Sequence, residues 1–150
     1  MIRKKIFKII LLNIAFVVFV SDAQAYAALV GNAGCMIKED GRVLLVTQNN
    51  DKLSIPGGTA EDGEIAMQTA IREVYEETQV RVSVSKLLKS FDNGFHLFEC
   101  DIIEDAKKLK PIEEYEDEIK SADFYDVENL SPDDLRFPDQ YELYLGYQSQ

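Results

Sequence analysis

Hydrophobic positions along the chain change period several times, and each change marks an element. Val30 to Ile37 and Arg42 to Gln48 read as two strands joined through "KEDG", where Asp40-Gly41 is a hairpin signal. "LSIPGG" reads as a short extended piece ending in Pro56, Gly57 and Gly58. From about Ile65 to Thr78 the period lengthens to that of a helix, with Ala66, Ala70, Ile71 and Val74 on its apolar side. "RVSVSKLLKSF" alternates as a strand does, and "GFHLFECDII" forms another after the turn at Asn93-Gly94. "PIEEYEDE" reads as a loop or edge segment, and a strand follows from about Ile119 to Val127. Ser131 and Pro132 have the chemistry of a helix N-cap and first helical position, and a last helix is expected over Asp139 to Tyr147. Strands alternating with a few helices predict an α/β fold, a mixed sheet with helices on its faces. There is no repeat, low-complexity tract or flexible linker, so residues 26–150 read as one domain.

The first 25 residues carry a different pattern. Basic "MIRKK" precedes an apolar run from Ile6 to Val20, interrupted by Lys8 and Asn13, and then "SDAQA". That order predicts a secretory signal peptide cut after Ala25, with a cut after Ala27 as the alternative. An uncleaved anchor fits less well, because the run falls short of the roughly 20 apolar residues that cross a bilayer. The expectation is an exported protein, periplasmic or secreted, that meets a membrane only during export.

Charge narrows the partners. Loss of Arg3, Lys4, Lys5 and Lys8 against Asp22 takes +3 from a net charge of −11 and leaves −14 on residues 26–150. So acidic a body repels nucleic acid and anionic membranes, whose binding needs lysine and arginine on phosphates. A small phosphorylated ligand stays open, since a bound metal ion reverses the sign of one site. Cys35 and Cys100 are too few for a disulfide framework and wrongly spaced for zinc. They read as two small apolar residues packed in strands, with a single bridge as the alternative in an exported chain.

The stretch "REVYEET" puts Glu73, Glu76 and Glu77 on one face of the expected helix, where like charges repel. Glu76 and Glu77 also fall in its last turn, where the macrodipole disfavours an anion. The wider stretch "GGTAEDGEIAMQTAIREVYEETQV" spaces Gly58, Glu64, Arg72-Glu73 and Glu76-Glu77 in a pattern that resembles the signature of the Nudix hydrolase family. The resemblance continues through residues 26–150, from the strands before the signature to "DEIKSADFYDVENL" after it.

The resemblance implies a Nudix fold, in which a mixed sheet is sandwiched between helices, and a metal-dependent pyrophosphohydrolase. Its substrate would be a small nucleotide, a nucleoside diphosphate linked to another moiety, and its cofactor Mg²⁺ or Mn²⁺. Glu73, Glu76 and Glu77 are then metal ligands, joined by the backbone carbonyl of Gly57. Glu73, Glu76 or Glu118 is the catalytic base, with Glu113, Glu114 and Glu116 as rivals to Glu118. Arg72 pairs with Glu64 to hold helix and loop together, and Gly58 shapes the loop. Gln79 stands where the family has glycine, at the αL position beyond the helix, at a cost of order 1 kcal/mol.

The remaining residues with chemistry have plainer readings. His96 is the only histidine and reads as structural. Phe91, Phe95, Phe98, Phe124 and Tyr125 offer stacking surfaces for a base, but strand aromatics usually pack a core, and Tyr75 reads as packing off the carboxylate face. No residue pattern after the signature matches the ADP-ribose, dinucleoside polyphosphate, NADH or coenzyme A subgroups, which leaves a nucleoside triphosphate or nucleotide-sugar pyrophosphatase. Two other classes remain as alternatives, a non-catalytic nucleotide-binding module of the same fold and an acidic calcium-binding domain. The calcium reading is weakened because the alternating Asp/Asn loop of calcium sites is absent from the sequence. A homodimer is compatible with the sequence.

Overall fold

A computed structural model of the chain describes residues 28–104 and 109–150. The expected signal peptide and both of its cleavage positions lie outside these residues. The strands are β1 (Ala33–Met36), β2 (Lys38–Glu39), β3 (Arg42–Gln48), β4 (Leu53–Ser54), β5 (Gly57–Gly58), β6 (Arg81–Ser90), β7 (His96–Glu104) and β8 (Ile119–Tyr125). The helices are α1 (Ala66–Thr78), between β5 and β6, and α2 (Tyr141–Gln148), at the end, with 3-10 turns at Glu113–Tyr115, Val127–Asn129, Pro132–Asp134 and Pro138–Gln140.

The strands form two four-stranded sheets. One runs β5-β1-β7-β6; the other runs β2-β3-β4, with β8 on the free side of β3. Among the strand pairs of the described residues β1 and β7 are parallel and the rest antiparallel, so the architecture is the mixed α/β one expected. The turn at Asp40-Gly41 also forms, with φ of 49° and 75°, both positive as a tight hairpin requires. It joins β2 to β3, however, because the chain changes sheets at Ile37. The strand expected over Val30 to Ile37 is shorter, Ala33–Met36, and the first half of the stretch read as a turn, Lys38–Glu39, forms β2.

Burial explains the change of sheet. Every residue of β1 is buried, and in β3 the run Val43 to Val46 is buried on both faces. With a period of two, neighbours in such strands face opposite sides. Cys35, Leu44 and Val46 join Ala66, Ala70 and Val74 of α1 and Phe98 of β7 in one cluster. Met36, Val43 and Leu45 join Leu97, Leu135, Tyr144 and Tyr147 in the other, beneath α2. Each such aliphatic side chain contributes about 1.5–3 kcal/mol by leaving water. The two helices thus cover the sheets from opposite sides.

Two sequence expectations are corrected here. Cys35 and Cys100 are bonded to each other, with Cα atoms 5.6 Å apart. Parallel pairing sets Cys35 opposite Phe98, and Cys100 lies two residues further on the same face, so the side chains converge. Tyr75 is not packed inside: it is exposed, with the Arg81 guanidinium 4.7 Å from its ring centroid.

Candidate functional site

Helix α1 delivers the carboxylates because its apolar side is fixed first. Ala66, Ala70 and Val74 are fully buried against the sheet, and the same rotation turns Glu73 and Glu77 inward at its edge. These two are only 7% and 6% exposed, unusual for carboxylates. Glu77 Oε2 accepts the Gly57 amide at 2.9 Å. Burial drives its carboxyl pKa up to about 8, with the nearby Glu73 charge pushing the same way. Glu73 is raised by burial as well, against the pull of Arg72.

Arg72 distributes its charge over this face. Its Nε and Nη2 bind Glu64 at 2.7 and 3.0 Å, the expected pairing, and Nη2 also reaches the Thr59 carbonyl at 2.8 Å. Its Nη1 lies 3.1 Å from Glu73 Oε1 and 2.6 Å from Glu76 Oε2. The Arg72 hydrogen bond is the main reason Glu64 falls to about 2, although burial opposes it. Arg72 in turn holds its proton more firmly than a free guanidinium.

The two glycines make room for this arrangement. A Cβ on Gly58 would stand 2.6–2.7 Å from the Glu73 carboxyl group, so any side chain there would displace it. A Cβ on Gly57 would meet the Gly34 Cα at 2.5 Å across the β1–β5 pair. The amide of Gly57 is engaged by Glu77, which leaves its carbonyl free of that bond.

The departure at Gln79 has a local compensation. Gln79 does take the αL conformation, with φ 61° and ψ 12°. Its side-chain amide donates to the Pro111 carbonyl at 3.1 Å, and the Ile112 amide donates to the Glu76 carbonyl at 2.8 Å. The helix end thereby clamps the segment that carries Tyr115 and Glu118. A register shift between Thr47 and Gln48, at the start of β8, places Glu118 at the rim of the same cavity.

That cavity, of about 370 Å³, is lined by Glu73, Glu77 and Glu118 together with Gly57, Gly58 and Tyr115. Glu113, Glu114 and Glu116 do not line it, so geometry favours Glu118 among its rivals. Glu76 stands just behind, held by Arg72 and by the Tyr115 hydroxyl, whose pKa is driven to about 12 by burial and by this hydrogen bond. His96 is engaged structurally, bonded to Ser90 Oγ at 2.8 Å and the Val30 carbonyl at 3.2 Å.

Several residues at the site were not singled out from sequence, among them Tyr115, Gln48 and Arg136. Tyr115 lies in the acidic loop, Gln48 at the end of β3, and Arg136 beyond the last strand. No spacing rule ties them to the signature; a lone arginine in an acidic segment was the sole available hint. Arg136 also lines a second cavity of about 310 Å³, alongside Phe91, Phe95 and Phe137.

A helix with inward carboxylates, fed by a glycine loop and flanked by two four-stranded sheets, defines a class of domain. A family model described as NUDIX domain matches residues 29–145, and the chain belongs to the Nudix family. Over 63 residues it is 43% identical to the nucleoside diphosphate-linked moiety X motif 6 protein of Mus musculus, covering 39% of this chain and 20% of that one. Over 108 residues it is 30% identical to an ADP-ribose pyrophosphatase of Methanocaldococcus jannaschii, covering 63% and 60%. The solved structure of a UDP-X diphosphatase aligns with a TM-score of 0.63 at 25% identity, over 85% of this chain and 66% of that one. The alignments span only 20% to 40% of the length of the first curated relatives matched.

Proposed function

We propose that this chain is an exported pyrophosphohydrolase that uses Mg²⁺ or Mn²⁺ to cleave the phosphoanhydride bond of a nucleoside diphosphate linked to another moiety. The observation that carries the reading is the pair of buried carboxylates, Glu73 and Glu77, facing Glu118 across one cavity. The donor chemistry suits a hard divalent cation, since every candidate ligand atom is oxygen and the positive Arg72 Nη1 already lies between Glu73 and Glu76, although among the described residues no three carboxylates converge on one point. Glu73, Glu76 and Glu77 would hold the ion, with the Gly57 carbonyl as a further ligand. Such an ion supplies Lewis-acid neutralisation of the phosphoanhydride oxygens.

The protein's own groups do the rest. Arg72, tied to Glu64 and Thr59, fixes the carboxylates in position. Glu118, exposed at the cavity rim, accepts a proton from the attacking water. The water oxygen bonds to phosphorus as the bridging P–O bond breaks, and the departing phosphate takes up a proton. The names of the three relatives reported above each describe diphosphate chemistry and support this class of substrate. Export is supported by the basic and apolar opening of the sequence and by the buried disulfide, which suits an oxidising compartment.

Replacing Glu76 or Glu77 by Gln removes a charged oxygen ligand without changing the shape. Turnover with Mn²⁺ is expected to fall by about 10²-fold or more while circular dichroism stays unchanged. Unchanged turnover in the folded variants would overturn the ligand assignment.

A further inference from the structure

The carboxylate cavity and the second, aromatic cavity adjoin: Gly57, Gly58, Thr59 and Arg136 line both. The two offer opposite chemistry. One is walled by carboxylates, while the other is walled by Phe91, Phe95 and Phe137 together with the amides of Asn32 and Asn93 and a single carboxylate, Asp139. Phe91 and Phe95 meet edge to face with centroids 6.1 Å apart and both line the cavity, with Lys89 Nζ 4.7 Å from the Phe91 ring centroid. Aromatic walls with amide edges suit a planar, hydrogen-bonding ring.

Arginine is the residue that decides how such a ligand is held at the junction. The cations lining the two cavities are Arg72 and Arg136. Arg72 is committed to Glu64, Glu73, Glu76 and Thr59. Arg136 forms no ion pair among the described residues; its Nη1 donates to Gln48 Oε1 at 3.1 Å, and its guanidinium stands 5.2 Å from the Phe137 ring centroid. Its position is nonetheless fixed. Leu135, just before it, is buried and bridges to Leu53, and the Arg136 amide donates to the Leu53 carbonyl at 2.8 Å. It thus hangs from β4, the strand that leads into Pro56 and Gly57. A guanidinium with free donors, set between an anionic wall and an aromatic one, matches a phosphate that joins the two halves of a ligand.

We propose that Arg136 is the substrate-anchoring cation, binding the phosphate carried by a nucleoside seated between Phe91, Phe95 and Phe137. The assignment rests on the pyrophosphohydrolase reading and adds the orientation: nucleoside in the aromatic cavity, scissile diphosphate over the carboxylates.

Titration calorimetry with the metal chelated tests this without turnover. AMP, adenosine and ribose 5-phosphate are titrated into the wild-type protein and into Arg136→Ala, Arg136→Gln and Arg136→Lys. The neutral variants are expected to bind AMP about tenfold or more weakly and adenosine within about twofold of wild type, and lysine to restore part of the loss. The side chain is exposed, so folding should persist; the glutamine variant keeps a stem over Phe137 should alanine disturb that contact. AMP binding that is absent in the wild type or unchanged in the neutral variants overturns the proposal. So does an equal loss of adenosine, or ribose 5-phosphate binding more tightly than AMP. Hydrolysis with Arg136-independent AMP binding would sink this assignment alone, whereas Arg136-dependent binding without hydrolysis would sink the catalytic reading alone.

Discussion

Glu77 concentrates the tension in this protein into one carboxyl group. It is buried, and its partner is one backbone amide at 2.9 Å, which leaves its charge poorly compensated. Folding raises its pKa from 4.5 to about 8, so the metal-free native state binds this proton more tightly than the unfolded chain does. Its contribution is therefore most favourable below pH 4.5 and is lost as pH rises through 8. Glu73 acts in the same direction. Glu64 acts in the opposite one: held near 2 by Arg72, it stabilises above pH 4.5 and ceases to do so as pH falls toward 2. With metal chelated, Glu77→Gln should flatten the fall in melting temperature between pH 4.5 and 8 and raise it at pH 8. A variant less stable than wild type at pH 8 would show that the charge is compensated after all.

At the scale of elements, the helix end decides where the site's outlying residues lie. Gln79 occupies αL at a cost near 1 kcal/mol, and its amide bond to the Pro111 carbonyl offsets that cost while pinning the segment before Glu118. Gln79→Ala should lower stability by about 1 kcal/mol, since the strain stays and the bond goes. Gln79→Gly should be close to neutral, as lost strain balances the lost bond. Urea unfolding of the two variants separates these effects, and equal destabilisation in both would contradict them. Local elements were legible in the sequence for a physical reason: α1 and β6 to β8 are set by short-range periodicity, and the signature lies within one helix and its loop. The partition of β1 and β3 between two sheets was not, because a run buried on both faces carries no alternation to read.

The whole molecule adds what only long-range packing creates. Parallel pairing of β1 with β7 brings Cys35 to Cys100 across 65 residues of sequence, a pairing that two isolated cysteines could not announce. Closing a loop of that length stabilises by about 4 kcal/mol in the chain-entropy account. The double variant Cys35→Ala/Cys100→Ala should lose roughly 2–4 kcal/mol in urea unfolding, and an unchanged midpoint would count against the bridge. Tyr115 and Arg136 escaped sequence reading because each reaches the carboxylates from a distant segment, whereas Glu118 could be placed by its interval before β8. The central claim, that these carboxylates form a metal-dependent centre for splitting diphosphates, meets its most direct test in one assay. ADP-ribose, UDP-sugars, dinucleoside polyphosphates and nucleoside triphosphates are incubated with the protein and Mg²⁺ or Mn²⁺, and products are identified by mass. Cleavage of at least one of them at a phosphoanhydride bond, abolished by EDTA, is expected. No cleavage across the panel, or cleavage that persists in EDTA, would contradict it.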